Sequence, residues 1–212
     1  MYDPDRLIDE LARTAGPVSR VPATWVRAAW LIPLALLLGA LSSSLLHREA
    51  TDWAAANARV AIAGALLSLA IGTFCLMSAL SVSVAGRVVR GKYWAVALLL
   101  LWIALAIASI GSPAASAAAV VQGHHGTPCF VFVTLAGLPM ILLALLALRQ
   151  TRSLTPVRSL ALTGCGAAFL AFALLALCHP TELSLIDLVM HVAAALVLGG
   201  SAILLGRRII AC

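Results

Sequence analysis

GTPCFVFVTLAGLPMILLALLAL, residues 126–148, runs from the His124-His125 pair to Arg149 without one charged side chain. About 20 apolar residues, wound as a helix, cross the ~30 Å hydrocarbon core of a bilayer. Lipid offers the backbone no hydrogen-bond partner, so a lone segment of this kind must cross as a helix. Five further uncharged stretches read the same way: 28–46, 60–86, 93–123, 159–178 and 188–206. They are rich in Leu and Ala and lack the alternation of barrel strands. The 93–123 stretch is too long for one span. Gly111-Ser112-Pro113 predicts its end, leaving 114–125 as a loop of small residues. The expected fold is all-α: a polytopic six-transmembrane-helix bundle, with helices at about 28–46, 60–82, 94–112, 129–148, 159–178 and 186–206.

Composition agrees. Of 212 residues, 63% are hydrophobic and 10% charged, with a mean hydropathy of +1.07. Soluble domains carry about 25% charged residues, so a water-facing shell is excluded. The formal charge of +6 would suggest a nucleic-acid partner in a soluble protein. In a membrane protein the placement of the cations matters more. Arg6, Arg13, Arg20 and Arg27 precede the first span. Arg87, Arg90 and Lys92 lie in the second loop, Arg149, Arg152 and Arg158 in the fourth, and Arg207 and Arg208 in the tail. Of the fourteen Lys and Arg residues, only Arg48 and Arg59 fall on the opposite side. The positive-inside rule predicts that both termini are cytoplasmic. Residues 1–27 are then a cytoplasmic segment, 28–206 the membrane domain and 207–212 a cytoplasmic tail. A cleavable signal sequence is not expected, because the first span follows a long polar stretch and exceeds a usual h-region.

Within residues 1–27, Asp3 and Pro4 suit a helix start, and Asp5, Asp9 and Glu10 favour the positive end of its dipole. Leu7, Ile8, Leu11 and Ala15 fall on one face at helical spacing, and Gly16-Pro17 ends the helix. So short a helix is marginal alone in water and needs a surface. One reading lays it on the bilayer. Its acidic residues would then approach an anionic leaflet, which attracts basic peptides. The other reading is a docking helix for a cytoplasmic protein.

Inside the spans, Gly64, Gly72, Gly164, Ala168 and Ala171 read as close helix contacts. Pro33 and Pro139 are candidate kinks. Trp25, Trp30, Trp53, Tyr93 and Trp94 lie near predicted interfaces, as belt aromatics do. Cys75 and Cys165 are expected in inner halves of spans as packing thiols, with Cys212 at the cytoplasmic end. Cys129 opens the fourth span and Cys178 closes the fifth, both at the external interface. His124, His125 and His179 flank them. Cys and His together suit soft or borderline ions, and an oxidising compartment permits a disulfide. A redox- or metal-responsive pair, a structural disulfide and two unrelated thiols all stay open. Asp187 and His191, four apart, share a helix face, with Glu182 in the loop before them. A structural Asp–His pair is the favoured reading of these two.

The chain resembles the NrsF family of integral-membrane anti-sigma factors, negative regulators of extracytoplasmic-function sigma factors. The resemblance lies in LIDELARTAGPVSRV at 7–21, with its Pro-Val-x-Arg linker, and in the length and six-helix plan. It extends to GTPC at 126–129, RQTRSLTPVR at 149–158 and the cysteine at the outer end of helix five. It implies that the N-terminal helix (Leu7, Ile8, Asp9, Glu10, Leu11, Ala15) holds a sigma factor at a bacterial inner membrane. It also implies that Cys129 and Cys178 take part in sensing an external stress; the Cys and His residues there make that a redox or metal stress, and no cofactor is expected beyond a transition-metal ion at the cysteine pair. No enzymatic activity is implied. Two departures stand out: Cys178-His179-Pro180, where the family is expected to place Pro directly after Cys, and a sixth helix with His191 and no aromatics. A thiol-disulfide oxidoreductase is the first alternative, disfavoured by the lack of CxxC. A small metal transporter or channel is the second, disfavoured by the scarcity of deep ionisable residues.

Overall fold

The computed structural model describes residues 4–14, 21–46, 50–55, 57–84, 86–87, 89, 91–110, 126–151, 155–181 and 183–210. These hold seven helices: α1 (Pro4–Thr14), α2 (Thr24–Ser43), α3 (Ala58–Val82), α4 (Lys92–Ile110), α5 (Gly126–Arg149), α6 (Pro156–Leu175) and α7 (Leu185–Ile210). Among the described residues there is no strand. The six helices α2 to α7 are long and apolar enough to cross a membrane.

Several helix ends differ from those expected, each for a local reason. The α2 helix begins at Thr24 rather than 28, because Arg27 fits inside its first turn and donates from Nη2 to Ala147 O at 2.8 Å. It stops at Ser43 rather than 46. There the hydroxyls of Ser42, Ser43 and Ser44 turn back onto the carbonyls of Gly39, Ala40 and Leu41, a local competitor of helix continuation. Pro156 starts α6 three residues before the expected 159, at a position where its missing N–H costs nothing. Arg207 and Arg208 lie within α7, which runs past the expected 206. Between α3 and α4, Gly86 and Gly91 adopt φ of 79° and 81°, a region that side chains disfavour. The 114–125 loop lies outside the described residues.

The packing is centred on α6, which touches α3, α7, α5 and, less, α2; α5 also packs on α2 and α7. Small residues make this possible. A Cβ on Gly164 would meet Gly199 Cα of α7 at 2.6 Å, and one on Gly72 of α3 would meet Leu170 N of α6 at 2.9 Å. Backbones approach this closely only where side chains are absent. Gly64, expected to be such a contact, has open space beside it and is not one. The α4 helix is peripheral, packed along α3. Trp102 pins it, lying edge-on to Phe169 and parallel to Phe172, with its indole N–H donating to Ser68 Oγ at 2.8 Å.

The outer surface is apolar. Leu37, Leu41, Leu66, Leu100, Leu196 and Leu204 are all exposed, more apolar surface than a water-soluble monomer leaves open. Trp25, Tyr93 and Trp94 are exposed near one end of the bundle and Trp53 near the other, as aromatic belts are.

Candidate functional site

Two places stand apart from plain packing. The first is α1. None of its residues is buried. Leu7, Ile8 and Leu11 are 41%, 61% and 59% exposed, and Asp9 and Glu10 are exposed as well. Thr14 Oγ1 donates to Glu10 O at 2.9 Å and closes the last turn. An amphipathic helix whose apolar stripe is left open is built to meet another surface. Ala15 lies outside the described residues.

The second lies at the end of the bundle opposite Arg149 and Arg207. There α5 and α7 begin, α6 ends, and the loop between α2 and α3 folds over. Ser184 caps α7. Its N–H and Oγ–H both reach Asp187 Oδ2, at 3.2 and 2.7 Å, while Asp187 N–H donates back to Ser184 Oγ at 3.1 Å. This reciprocal capping box satisfies donors that the helix start would otherwise orphan. It fixes the carboxylate with Oδ1 turned to Cys129, whose Sγ donates to it at 3.8 Å.

His179 is set by Thr51. Thr51 Oγ1 accepts the His179 N–H at 3.1 Å and lies 2.8 Å from Ala176 O and 2.9 Å from His179 O, onto which its hydroxyl donates. The Thr51 N–H caps Leu177 O at 3.0 Å. The orphan carbonyls at the end of α6 are thereby met. The ring Nδ1 of His179 lies 2.8 Å from Pro180 O, and its Nε2 lies 4.0 Å from Asp187 Oδ2. Cys129, His179 and Asp187 are 2%, 8% and 7% exposed. One donor atom from each lies within 4.8 Å of the others. His191 completes the group: its Nδ1 bonds Asp187 O at 2.5 Å, and its ring is tilted on Phe172 and set edgewise to His179. A cavity of about 110 Å³ reaches this group, lined by Ser68, Trp102, Ser109, His179, Thr181 and His191 among others.

Of the residues expected here, Cys129 and His179 meet, and Cys178 sits one residue before His179, partly buried against the core. Among the described residues no disulfide is formed, and Cys129 and Cys178 are thiols. His124, His125 and Glu182 lie outside the described residues. Asp187 is the member that sequence reading assigned to a different pairing, with His191. The signal that marks it is Ser184-x-x-Asp187, which fixes the carboxylate at a helix start on the same end as Cys129. Elsewhere, Cys75 of α3 and Cys165 of α6, expected as packing thiols, lie with their sulfurs 3.8 Å apart.

A family model described as NrsF, negative regulator of sigma F, matches residues 11–211. Its matched span starts in the last turn of α1 and takes in all six membrane-length helices. No curated protein and no solved structure matches the chain.

Proposed function

The chain belongs to the NrsF family of negative regulators of sigma F, and from that premise we propose that it is an anti-sigma factor seated in a bacterial inner membrane, where it sequesters an extracytoplasmic-function sigma factor. The observation that carries this reading is the open apolar stripe of α1, with Leu7, Ile8 and Leu11 exposed and no residue of the helix buried. The rest of the chain offers lipid little but hydrocarbon. The sigma factor docks on this stripe, with Ala15 extending it and Asp9 and Glu10 setting its polar edge. Both termini face the cytoplasm, and residues 1–27 are the part that reaches the partner.

The opposite end, with Cys129 and Cys178, faces outward and receives the signal. A thiol-reactive or metal stress there shifts the bundle between two packings that differ in affinity for the sigma factor, and any such coupling must be reciprocal. Regulation of this kind requires no catalysis. A sigma-dependent reporter in cells tests both halves. Leu7→Glu with Leu11→Glu should raise reporter output to the level of a deletion. Cys129→Ser with Cys178→Ser should keep repression but abolish induction. Full repression by the first variant would remove α1 from the mechanism, and normal induction in the second would remove the thiols.

A further inference from the structure

We propose that Cys129, His179 and Asp187 form a binding site for one divalent metal ion of the zinc class. The proposal gives the outward end a ligand, and it rests on the anti-sigma reading only for what the ion would signal.

The surroundings of His179 fix which ring nitrogen is free to ligate. Its Nδ1 lies 2.8 Å from Pro180 O. A carbonyl oxygen only accepts, so Nδ1 carries the proton, and in the neutral ring Nε2 presents a bare lone pair. In the neutral ring that lone pair faces Asp187 Oδ2 at 4.0 Å, beyond hydrogen-bond reach. Two acceptors thus face each other in a buried site. A metal-ligating imidazole is oriented in this same way, by a carbonyl on its other nitrogen.

Asp187 shows a matching division of labour. Its Oδ2 is committed to Ser184, a capping role sufficient to explain why an acid stands there. Capping does not explain Oδ1, which turns toward Cys129 Sγ at 3.8 Å. Tetrahedral zinc with bonds of 2.0–2.3 Å sets its ligand atoms about 3.3–3.8 Å apart. The three donors, all within 4.8 Å of one another, need only small side-chain movements to close on an ion.

Charge and softness select the class. Thiolate and carboxylate carry two negative charges and imidazole none, so a divalent cation leaves the buried site neutral. One soft, one borderline and one hard donor suit zinc or cadmium better than copper(I), which prefers all-sulfur sites, or calcium and magnesium, which prefer all-oxygen sites. Coordination replaces the Cys129 S–H bond with a metal–sulfur bond and releases one proton to solvent. The cavity beside His179 and His191 is large enough to hold a water.

The test uses the full chain in detergent micelles, stripped by chelator and titrated with Zn²⁺ by calorimetry and with Cd²⁺ by its thiolate charge-transfer absorption. The expected result is one ion per chain with one proton released. The absorption should vanish in Cys129→Ser, and affinity should fall at least about tenfold in His179→Gln and in Asp187→Asn. Asn at 187 keeps an oxygen for Ser184, so its fold is expected to survive, which the helical signal checks. No binding by the natural chain, or affinity unchanged in both His179→Gln and Asp187→Asn, overturns the site. Sigma-factor retention measured on the same preparations separates the two ideas. Retention without ion binding overturns the site alone, and ion binding without retention overturns the anti-sigma reading while supporting the site.

Discussion

Cys75 of α3 and Cys165 of α6 lie sulfur to sulfur at 3.8 Å, across the interface that holds the centre of the bundle together. A disulfide needs about 2.05 Å between sulfurs, so oxidation would draw the two side chains closer together. A lipid-soluble oxidant is expected to convert the pair to an intramolecular disulfide. Mass spectrometry of the intact chain should show loss of two hydrogens, and Cys75→Ser or Cys165→Ser should each prevent it. Cys165 also lines an apolar groove of about 640 Å³ between α4, α6 and α7, which gives such an oxidant a path.

Gly164 and Gly199 face each other across α6 and α7, yet they should respond differently to substitution. A side chain on Gly164 meets Gly199 Cα at 2.6 Å and Leu198 O at 2.9 Å, both backbone, whereas a Cβ on Gly199 meets nothing within 4 Å. Gly164→Leu is expected to cost about 1–3 kcal/mol by overpacking. Gly199→Ala should be neutral or gain about 0.5–1 kcal/mol from helix propensity. Unfolding in mixed micelles would measure both.

Trp102 is the peg of α4. Trp102→Phe removes the bond to Ser68 and leaves the ring contacts with Phe169 and Phe172, for an expected loss of about 1 kcal/mol. Trp102→Ala removes both and should cost about 3 kcal/mol. Protease susceptibility near Lys92 should rise in the second variant more than in the first.

Much of this architecture was legible in the chain because lipid imposes simple rules. An uncharged stretch such as 126–148 has little choice but to become α5, and the alternation of acidic and apolar residues in α1 is equally plain. What was not legible is lateral placement. The spans are apolar on every face, so hydropathy does not say which helix is neighbour to which. Hence hydropathy could not reveal that Asp187, 58 residues away, is a neighbour of Cys129. The meeting of Cys75 and Cys165 is hidden from the sequence for the same reason. Gly64 and Gly72 look alike in sequence, yet only Gly72 is pressed against a neighbour. Helix ends were misplaced where a charge could fold into the helix, as Arg27 does by finding Ala147 O.

The sidedness proposed from the cations has its own consequence. In a chain otherwise lacking cysteine, single cysteines placed at Val21 and at Ala50 should differ in intact cells. A membrane-impermeant maleimide should label position 50, and label position 21 only after lysis. Labelling of position 21 in intact cells would invert the orientation and place α1 outside.

Recovery of the sigma factor with membranes tests α1 as its docking helix. Membranes from cells carrying the natural chain should retain its co-produced sigma factor, and membranes with Leu7→Glu and Leu11→Glu should lose it to the soluble fraction while the membrane protein stays at its normal level. Equal retention of the sigma factor by both would contradict the assignment of α1 as its docking helix.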